Sequence, residues 1–277
     1  MRKRTALSLA AALLLLAGCA ASGHTGGLSG VVNTDGSTSL ANVMAALQEA
    51  FYELHPDITV NYSGTGAGAG VEAVLSGTCD IGLSSRALTP QEEAKGAVAH
   101  VVALDGIGVV VHPSNPVTGL TRDQLAQIFT GELVNWAQLG GEDRPIAVLG
   151  REAGSGTRGA FEELLGVTDR CRYRNEYGSS GDVMANTASN PNAIGYASLA
   201  TLNGSAAVLT VDGVPCGEET LRDGTYPLQR PFLLVTREGT ALSPQAEAFL
   251  TFALSPEAAE FLLAAGATPP GEGAGGS

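Results

Sequence analysis

The segment Gly150-Arg151-Glu152-Ala153-Gly154-Ser155-Gly156-Thr157-Arg158 directly precedes a helical pattern that starts at Gly159-Ala160-Phe161. A helix N-terminus carries unpaired N–H groups and about half a positive charge, so it attracts an oxyanion. Arg151 adds a planar guanidinium that can hold two oxygens at once. Gly154 and Gly156 have no Cβ and so permit a close approach to the backbone. The segment therefore predicts an anion-binding turn at the start of a helix.

A second segment of the same kind lies far upstream. It reads Asp35-Gly36-Ser37-Thr38-Ser39 and precedes a helical run from Leu40 to Tyr52. Serine and threonine are also ordinary helix N-caps, so either segment alone is compatible with simple capping. Two such turns, one early and one in mid-chain, predict a ligand held between two lobes.

The N-terminus predicts export from the cytoplasm. Residues 2–4 are basic, and Ala6–Ala17 is an apolar run that is too short to span a bilayer but suits a signal peptide. The run ends in Leu16-Ala17-Gly18-Cys19, which resembles the bacterial lipobox, in which the cysteine becomes the lipidated first residue. An ordinary secretory signal cut nearby is the alternative. Residues 20–27 are small and polar, as in a flexible tether. We therefore expect an extracytoplasmic protein that touches the membrane only through a lipid on Cys19.

The charge balance argues against nucleic acid as a partner. The chain carries 28 Asp+Glu against 15 Lys+Arg, a formal net charge of −13, and the loss of residues 2–4 with a leader would bring it to about −16. So acidic a surface repels polyanions. A small anion remains compatible, because backbone dipoles and one or two arginines create a local positive pocket. Lys95 is the one lysine after the leader, so an arginine is the predicted cationic group.

The cysteines and histidines give no metal pattern. Cys79, Cys171 and Cys216 follow Cys19, four histidines are scattered, and neither CxxC nor a Cys/His spacing occurs. We expect no metal and no cofactor. In an oxidising compartment the simplest count is one disulfide and one buried thiol. Cys171 with Cys216 is the predicted pair, because Cys79 lies in an apolar strand context.

Strand and helix patterns alternate along the chain, which is typical of an α/β fold. The predicted strands are residues 28–33, 58–62, 80–86, 98–111 (broken at 105–106), 145–149, 193–196, 208–211 and 230–235, with an extended segment at 171–178. The predicted helices are 39–54, 71–76, 90–95, 123–129, 159–165, 181–188, 243–254 and 256–265. Residues 64–70 are predicted as a glycine-rich loop. Thr121 begins a helix with the capping pattern Thr-x-x-Gln.

Several short motifs follow one another in a fixed order. They are Gly36–Ser39, Gly64–Gly70, Asp80–Arg86, Leu104–Ile107, Leu120–Trp136, Gly150–Arg158, Asn192–Tyr196 and Asp223–Pro231. Each motif is weak alone. In this order, over about residues 28–265, they resemble the phosphate-binding receptors of bacterial phosphate ABC importers.

The resemblance implies an α/β, two-lobe periplasmic-binding-protein fold of type II, with the ligand in the cleft between the lobes. Residues 1–18 would be the signal peptide and 19–26 the lipidated tether. Lobe one would be 27–108 plus 233–277, and lobe two 109–232. The crossover strands would be Ile107–Val111 and Arg230–Val235, and closure of the lobes would bury the ligand.

The resemblance also implies the phosphate contacts by position. Thr38 would donate its hydroxyl, Ser39 its backbone N–H, and Arg151 would be the main charge partner. Ser155, Gly156 and Thr157 would add N–H and hydroxyl donors from the start of a helix. The full predicted set is Thr38, Ser39, Gly66, Ala67, Ser85, Arg86, Arg151, Ser155, Gly156 and Thr157.

Two positions depart from the family pattern. Ala67 stands where many members have serine, so only its backbone N–H can serve. Ser85, followed by Arg86, stands where the best-known members have an aspartate that accepts the proton of hydrogen phosphate and repels sulfate. Another acceptor is then needed, and Asp35, Asp105, Asp182, a hydroxyl or a backbone carbonyl are the candidates. Arg86 would add a second charge to the site or form a salt bridge in its own loop.

The resemblance implies a monomeric receptor that captures inorganic phosphate and delivers it to the permease of an ABC transporter, with no chemistry of its own. The first alternative is a receptor for another oxyanion, such as sulfate, molybdate or tungstate. The second is a secreted phosphatase on the same fold. A phosphatase would need a nucleophile with a positioned base or a metal cluster, and no histidine lies near the Ser/Thr motifs.

Overall fold

The computed structural model describes residues 27–270. Ten strands lie in one sheet within that range: Gly30–Gly36 (β1), Ile58–Ser63 (β2), Ile81–Ser84 (β3), Ala97–Val111 (β4), Gly119–Leu120 (β5), Ala147–Arg151 (β6), Asn175–Tyr177 (β7), Ala193–Ser198 (β8), Ala207–Val211 (β9) and Gln229–Arg237 (β10). The α-helices of the same range are Ala41–Leu54 (α1), Ala67–Ser76 (α2), Pro90–Ala94 (α3), Arg122–Thr130 (α4), Gly156–Leu164 (α5), Ser180–Ser189 (α6), Glu218–Arg222 (α7), Pro244–Ala253 (α8) and Ala259–Ala264 (α9). The alternation confirms the predicted α/β class.

Two long strands occupy the middle of the sheet. The strand order is β2-β1-β3-β10-β4-β8-β6-β7, with β5 and β9 beside it. β1 pairs in parallel with β2 and β3, and β6 pairs in parallel with β7 and β8. β10 and β4 run antiparallel to each other and to the strands beside them. They therefore connect a β1–β3 half of the molecule with a β6–β8 half.

Each half has its own apolar core. In half one, which we define by β1–β3, α1, α2, α8 and α9, the core includes Val32, Phe51 and Phe249. In half two, defined by β6–β9 and α4–α6, the core includes Phe129, Trp136 and Phe161. The predicted lobe boundaries follow the same division and stay a prediction.

The site is built where strands end and helices begin. β1 ends at Gly36 and leads through a 3₁₀ turn, Thr38–Leu40, into α1. In half two, β6 ends at Arg151 before α5, and β7 ends at Tyr177 before α6. The carboxyl ends of strands in α/β sheets are the usual place for ligands. Here the ends from the two halves face each other.

Most predicted elements differ from the observed ones by a few residues at their ends, and three differences bear on the site. The glycine-rich loop is helical from Ala67, because its glycines permit α2 to pack closely on β1: a Cβ on Gly70 would lie 2.3 Å from the Asp35 carbonyl oxygen. β4 is unbroken at Asp105-Gly106 and runs from residue 97 to 111. α5 begins at Gly156, three residues before the apolar pattern, because Ser155 caps it. The Thr121 capping box is confirmed, and α4 ends at Gly131 in the left-handed conformation.

The predicted disulfide is not formed. Cys79, Cys171 and Cys216 are free in the described chain. Cys171 lies beside Tyr173, whereas a Cβ on Gly106 would lie 2.7 Å from Cys216 Sγ, so the two thiols are engaged with different neighbours. The predicted signal peptide and Cys19 fall outside the described residues. Within residues 27–270, no helix is both long enough and apolar enough to cross a membrane.

Candidate anion-binding site

Arg151, at the end of β6, presents a buried guanidinium to the space between the two halves. Arg151 is only 2 % exposed to solvent. Nε donates to the Tyr177 carbonyl (3.1 Å), Nη1 to Ser180 Oγ (3.0 Å), and Nη2 to the Gly178 carbonyl (2.7 Å) and Thr38 Oγ1 (3.0 Å). Among residues 27–270 no carboxylate forms a salt bridge with it. Burial lowers the pKa of Arg151 to about 10, so the group stays charged at neutral pH.

The backbone of Arg151 is held as firmly as its side chain. Its N–H donates to the Tyr196 hydroxyl (3.3 Å), and its carbonyl accepts from Arg158 Nη1 (3.1 Å). Tyr196 in turn contacts the Tyr173 hydroxyl at 3.1 Å, and Tyr173 donates to Glu162. This chain of contacts fixes where the β6 strand delivers the guanidinium.

Five buried hydroxyls lie close to one another beside the guanidinium, which donates to one of them, Ser180, and to the less buried Thr38. Ser39 Oγ lies 2.7 Å from Thr157 Oγ1 and 3.4 Å from Ser180 Oγ, so it joins half one to half two. Ser37 Oγ and Ser85 Oγ, both from half one, lie 2.6 Å apart. A hydroxyl can donate and accept, so the cluster can adapt its protons to a bound group. We call these six residues the hydroxyl cluster: Ser37, Thr38, Ser39, Ser85, Thr157 and Ser180.

Four helical N-termini meet at the hydroxyl cluster. They are the 3₁₀ turn that leads into α1, and the first turns of α2, α5 and α6. The first turns of α2 and α5 contain no acidic residue, and Gly66 caps α2 without a side-chain hydrogen bond. Because helix N-termini carry partial positive charge, four of them together favour an anion at this point.

Glycines bring the two halves together at the same place. A Cβ on Gly156 would lie 2.6 Å from Ser85 Oγ and 2.7 Å from Ala67 Cβ. Gly68 N–H donates to the Gly154 carbonyl at 3.2 Å, and a Cβ on Gly66 would lie 3.2 Å from that carbonyl oxygen. The start of α5 therefore fits directly against α2 and the end of β3 only because its first residue lacks a side chain.

A second guanidinium lies behind the hydroxyl cluster. Arg230, on β10, donates to Asp105 on β4 through Nε (2.9 Å) and Nη2 (2.8 Å). Its Nη2 also reaches Ser39 Oγ at 3.2 Å, and its Nη1 donates to the Ser85 carbonyl at 2.9 Å. Arg230 is thus neutralised by a carboxylate, unlike Arg151.

The structure brings most of the predicted site residues together. Thr38, Ser39, Arg151 and Thr157 are linked by hydrogen bonds. The other members that meet there by close approach or by capping α5 are Gly66, Ala67, Ser85, Ser155 and Gly156. The Ser39 contribution differs from the prediction: its N–H faces Ser37 Oγ at 3.3 Å, and its hydroxyl is the group in the cluster.

Arg86 does not join the hydroxyl cluster. Nη1 and Nη2 bind the Glu92 carboxylate at 2.8 and 2.7 Å, and Nη1 also donates to the Ala87 carbonyl. Of the two roles considered for Arg86, the structure therefore contains the salt bridge within its own loop.

The three carboxylates considered as proton acceptors are all engaged. Asp105 binds Arg230, Asp35 Oδ1 accepts from the Thr65 hydroxyl, and Asp182 Oδ2 accepts from the Ser179 hydroxyl. No group of three or more His, Cys, Asp or Glu within residues 27–270 is arranged to hold a metal ion.

Sequence reasoning missed Ser37, Ser180 and Arg230 as members of the site. The Ser179-Ser180 pair precedes a predicted helix, as the other two anion-binding turns do, so the same criterion could have found it. Arg230 lies inside a predicted strand, and no local pattern indicates that it would meet Ser39, 191 positions earlier in the chain.

Comparisons with known proteins agree with this geometry. The family model described as a PBP superfamily domain matches residues 21–257. The chain is 32 % identical over 211 residues to the phosphate-binding protein PstS of Bacillus subtilis, covering 72 % of this chain and 68 % of that protein. It is 30 % identical over 272 residues to PstS of Pseudomonas aeruginosa, covering 88 % and 84 %.

Solved structures give the same result. A putative phosphate ABC transporter substrate-binding protein from Clostridium perfringens, with bound phosphate, superposes with a TM-score of 0.82 at 35 % identity, over 87 % of this chain and 100 % of that one. An ABC-type phosphate transport receptor from Vibrio cholerae superposes with a TM-score of 0.72 at 33 % identity, over 86 % and 100 %.

Proposed function

Since the chain belongs to the PBP superfamily and to the PstS family of phosphate-binding proteins, we propose that it captures inorganic phosphate outside the cytoplasm and delivers it to an ABC permease. The observation that carries the proposal is Arg151. Its charge is buried without a carboxylate partner in the described chain, among hydroxyls and four helical N-termini. A buried charge is stable only when a partner compensates it, and an oxyanion is the partner that this donor set suits.

Binding requires both halves of the molecule. Thr38 and Ser39 come from half one, and Arg151, Thr157 and Ser180 from half two. An anion held by both sets gains contacts only in the closed arrangement, so it shifts the protein toward closure. The relatives that the chain matches are phosphate-binding transport receptors, so we assign it binding and release without catalysis.

A receptor for other oxyanions is the second candidate. It is favoured by the hydrogen bonds that Asp35, Asp105 and Asp182 already accept from other groups, since none of the three is bonded to Arg151 or to the hydroxyl cluster. The Ser37–Ser85 hydroxyl pair is the proposed replacement. Neither hydroxyl accepts from a guanidinium, so the pair retains an oxygen lone pair for a ligand proton.

The anchoring and assembly of the protein are further parts of the proposal. Lipidation of Cys19 would hold the monomeric receptor at the outer face of the cell membrane, where the permease is. The lipobox-like residues 16–19 support it.

Titration calorimetry of the mature protein, stripped of carried ligand, tests the proposal. Phosphate, sulfate and molybdate are titrated in turn at two pH values. We expect one phosphate per chain with at least tenfold weaker sulfate binding. Sulfate or molybdate binding as tightly as phosphate would replace the first candidate by the second, and binding of none of the three would overturn both.

A further inference from the structure

We propose that Asp105 and Arg230 form a positioning pair, which turns the Ser39 hydroxyl toward the bound anion and ties it to the two strands that connect the halves. The proposal rests on the proposed function, because it assigns a role within the same site. It concerns residues behind the anion rather than in contact with it.

The pair lies at the junction of the molecule. Arg230 on β10 and Asp105 on β4 are directly opposite each other in the antiparallel register. Asp105 is 0 % exposed and Arg230 is 3 % exposed. These two strands connect the halves, so a substitution in the pair would alter contacts in both halves.

Every oxygen of the carboxylate is used. Oδ2 accepts two bonds from Arg230, while Oδ1 accepts from Ser198 Oγ (2.8 Å) and from the Ala200 N–H (3.4 Å). Ser198 is the last residue of β8 in half two. The carboxylate therefore holds Arg230 in one orientation and anchors it to half two.

The other hydrogen bonds that Arg230 donates go to residues of half one. Nη1 holds the Ser85 carbonyl, and Nη2 reaches Ser39 Oγ. A guanidinium has donors only, so Ser39 must accept from it and its own proton must point away. Ser39 Oγ also lies 2.7 Å from Thr157 Oγ1 and 3.4 Å from Ser180 Oγ, and Ser180 Oγ accepts a hydrogen bond from Arg151. The pair thereby makes Ser39 a donor toward the anion position.

Stability alone is a weak reason for such a pair. Replacing a buried ion pair by apolar residues of similar volume is often neutral or stabilising, because burial of both charges is costly. Arg230 also donates hydrogen bonds to the Ser39 hydroxyl and the Ser85 carbonyl, and apolar residues in place of the pair could not donate them. Its internal neutralisation also leaves the Arg151 charge as the uncompensated one that faces the ligand.

A double-mutant cycle on phosphate affinity tests the pair. The variants are Arg230→Lys, Ser39→Ala and the double variant, measured by calorimetry. Lysine keeps the charge beside Asp105 but cannot reproduce the fork that reaches both Ser39 and Ser85. We expect each single variant to bind phosphate roughly tenfold more weakly, and the double variant to be no weaker than the weaker single one. Arg237→Lys, the same substitution on the same strand but on an exposed side chain, should bind like the wild type.

The outcomes separate the two proposals. If the wild type binds phosphate and the losses in the cycle simply add, or Arg230→Lys binds like the wild type, the positioning role is overturned and the receptor function stands. If the wild type binds no oxyanion, both are overturned. If Arg230→Lys does not fold, Asp105→Asn with Arg230→Met removes both charges and takes its place in the cycle, with the same expected non-additivity.

Discussion

At the scale of single residues, Arg151 is the group on which affinity depends. Truncating it to alanine leaves a buried dianion without its charge partner, which typically costs about 2–5 kcal/mol. We therefore expect Arg151→Ala to lose most of its phosphate affinity by calorimetry. Arg144→Ala is the control, because Arg144 is an exposed arginine paired with Glu142 on the surface. Phosphate binding by Arg151→Ala at the wild-type affinity would show that the site is elsewhere.

Ser85 tests how the protein distinguishes anions. The Ser37–Ser85 pair is the proposed acceptor for the proton of hydrogen phosphate, and sulfate has no proton at neutral pH. Ser85→Ala should therefore weaken phosphate binding several-fold, by about 1 kcal/mol, and leave sulfate binding nearly unchanged. Competition titrations of the two anions against one variant measure the ratio directly. An equal loss for both anions would mean that Ser85 only supports the shape of the site.

The residues that sequence reasoning found are those with local patterns. Thr38, Arg151 and Thr157 lie in Gly/Ser/Thr segments before helices, and that pattern has a physical cause in the unpaired N–H groups there. Arg230 has no such pattern, since its role arises from strand pairing between β10 and β4. Its partner Asp105 is a candidate phosphate acceptor by sequence, whereas the structure pairs it with Arg230.

At the scale of elements, the start of α5 determines how closely the halves approach. Gly156→Ala would place a Cβ 2.6 Å from Ser85 Oγ and 3.2 Å from the Ser85 backbone nitrogen. The overlap would lie between α5 of half two and Ser85 and Ala67 of half one, so it would oppose the close approach of the halves. We expect a phosphate affinity lower by about 1–3 kcal/mol, while the melting temperature without ligand does not fall.

Gly217→Ala is the matched control for that prediction. Gly217 caps α7 at another helix start, and a Cβ there would have no neighbour within 4 Å. An affinity loss in Gly217→Ala equal to that in Gly156→Ala would contradict a closure effect.

The Arg86–Glu92 pair stabilises the loop between β3 and α3. Its contribution to the free energy of unfolding should depend on pH in the acid range. Burial raises the pKa of Glu92, but hydrogen bonds from Arg86 and Thr89 outweigh it and hold that pKa below its ordinary 4.5. A carboxyl with a depressed pKa in the folded state stabilises fully above its unfolded pKa and loses this contribution as pH falls through the folded value.

We therefore expect Glu92→Gln to unfold more easily than the wild type by about 1 kcal/mol at pH 7. The difference should shrink as the pH falls below about 4.5, measured by urea unfolding at several pH values. Glu93→Gln, on the exposed side of the same helix, should behave like the wild type. A difference that persists undiminished at low pH would contradict the ionic origin of the effect.

Elements were predicted well where apolar periodicity decided them, and less well at glycines. The residues from Gly64 to Gly70 were predicted as a loop, because glycine weakens helices in isolation. In the fold, the lack of a Cβ at Gly70 is what permits α2 to pack on β1, so tertiary contact overrides propensity. α5 begins early because Ser155 caps it, and its first residue, Gly156, packs against Ser85 and Ala67.

At the scale of the whole molecule, two cores share one ligand site. The cores lie on either side of β4 and β10, and hydrogen bonds such as Ser39 to Thr157 cross between them. A ligand that binds only the folded, closed arrangement stabilises both halves together. At a phosphate concentration of 100 times Kd, mass action contributes about 2.7 kcal/mol.

Thermal unfolding should therefore show one transition that moves up by roughly 5–10 °C in phosphate. Arg151→Ala should show no comparable shift at the same phosphate concentration. Separate transitions, of which phosphate moves only one, would mean that the ligand is held by a single half.

A crystal structure of the protein grown with phosphate tests the central claim most directly. We predict phosphate oxygens within hydrogen-bond distance of the Arg151 guanidinium, of a hydroxyl from Thr38 or Ser39, and of the main chain at Gly156 or Thr157. Phosphate bound by one half alone would contradict the account. So would phosphate found only at a surface arginine pair, such as Arg170 and Arg172 beside Thr130.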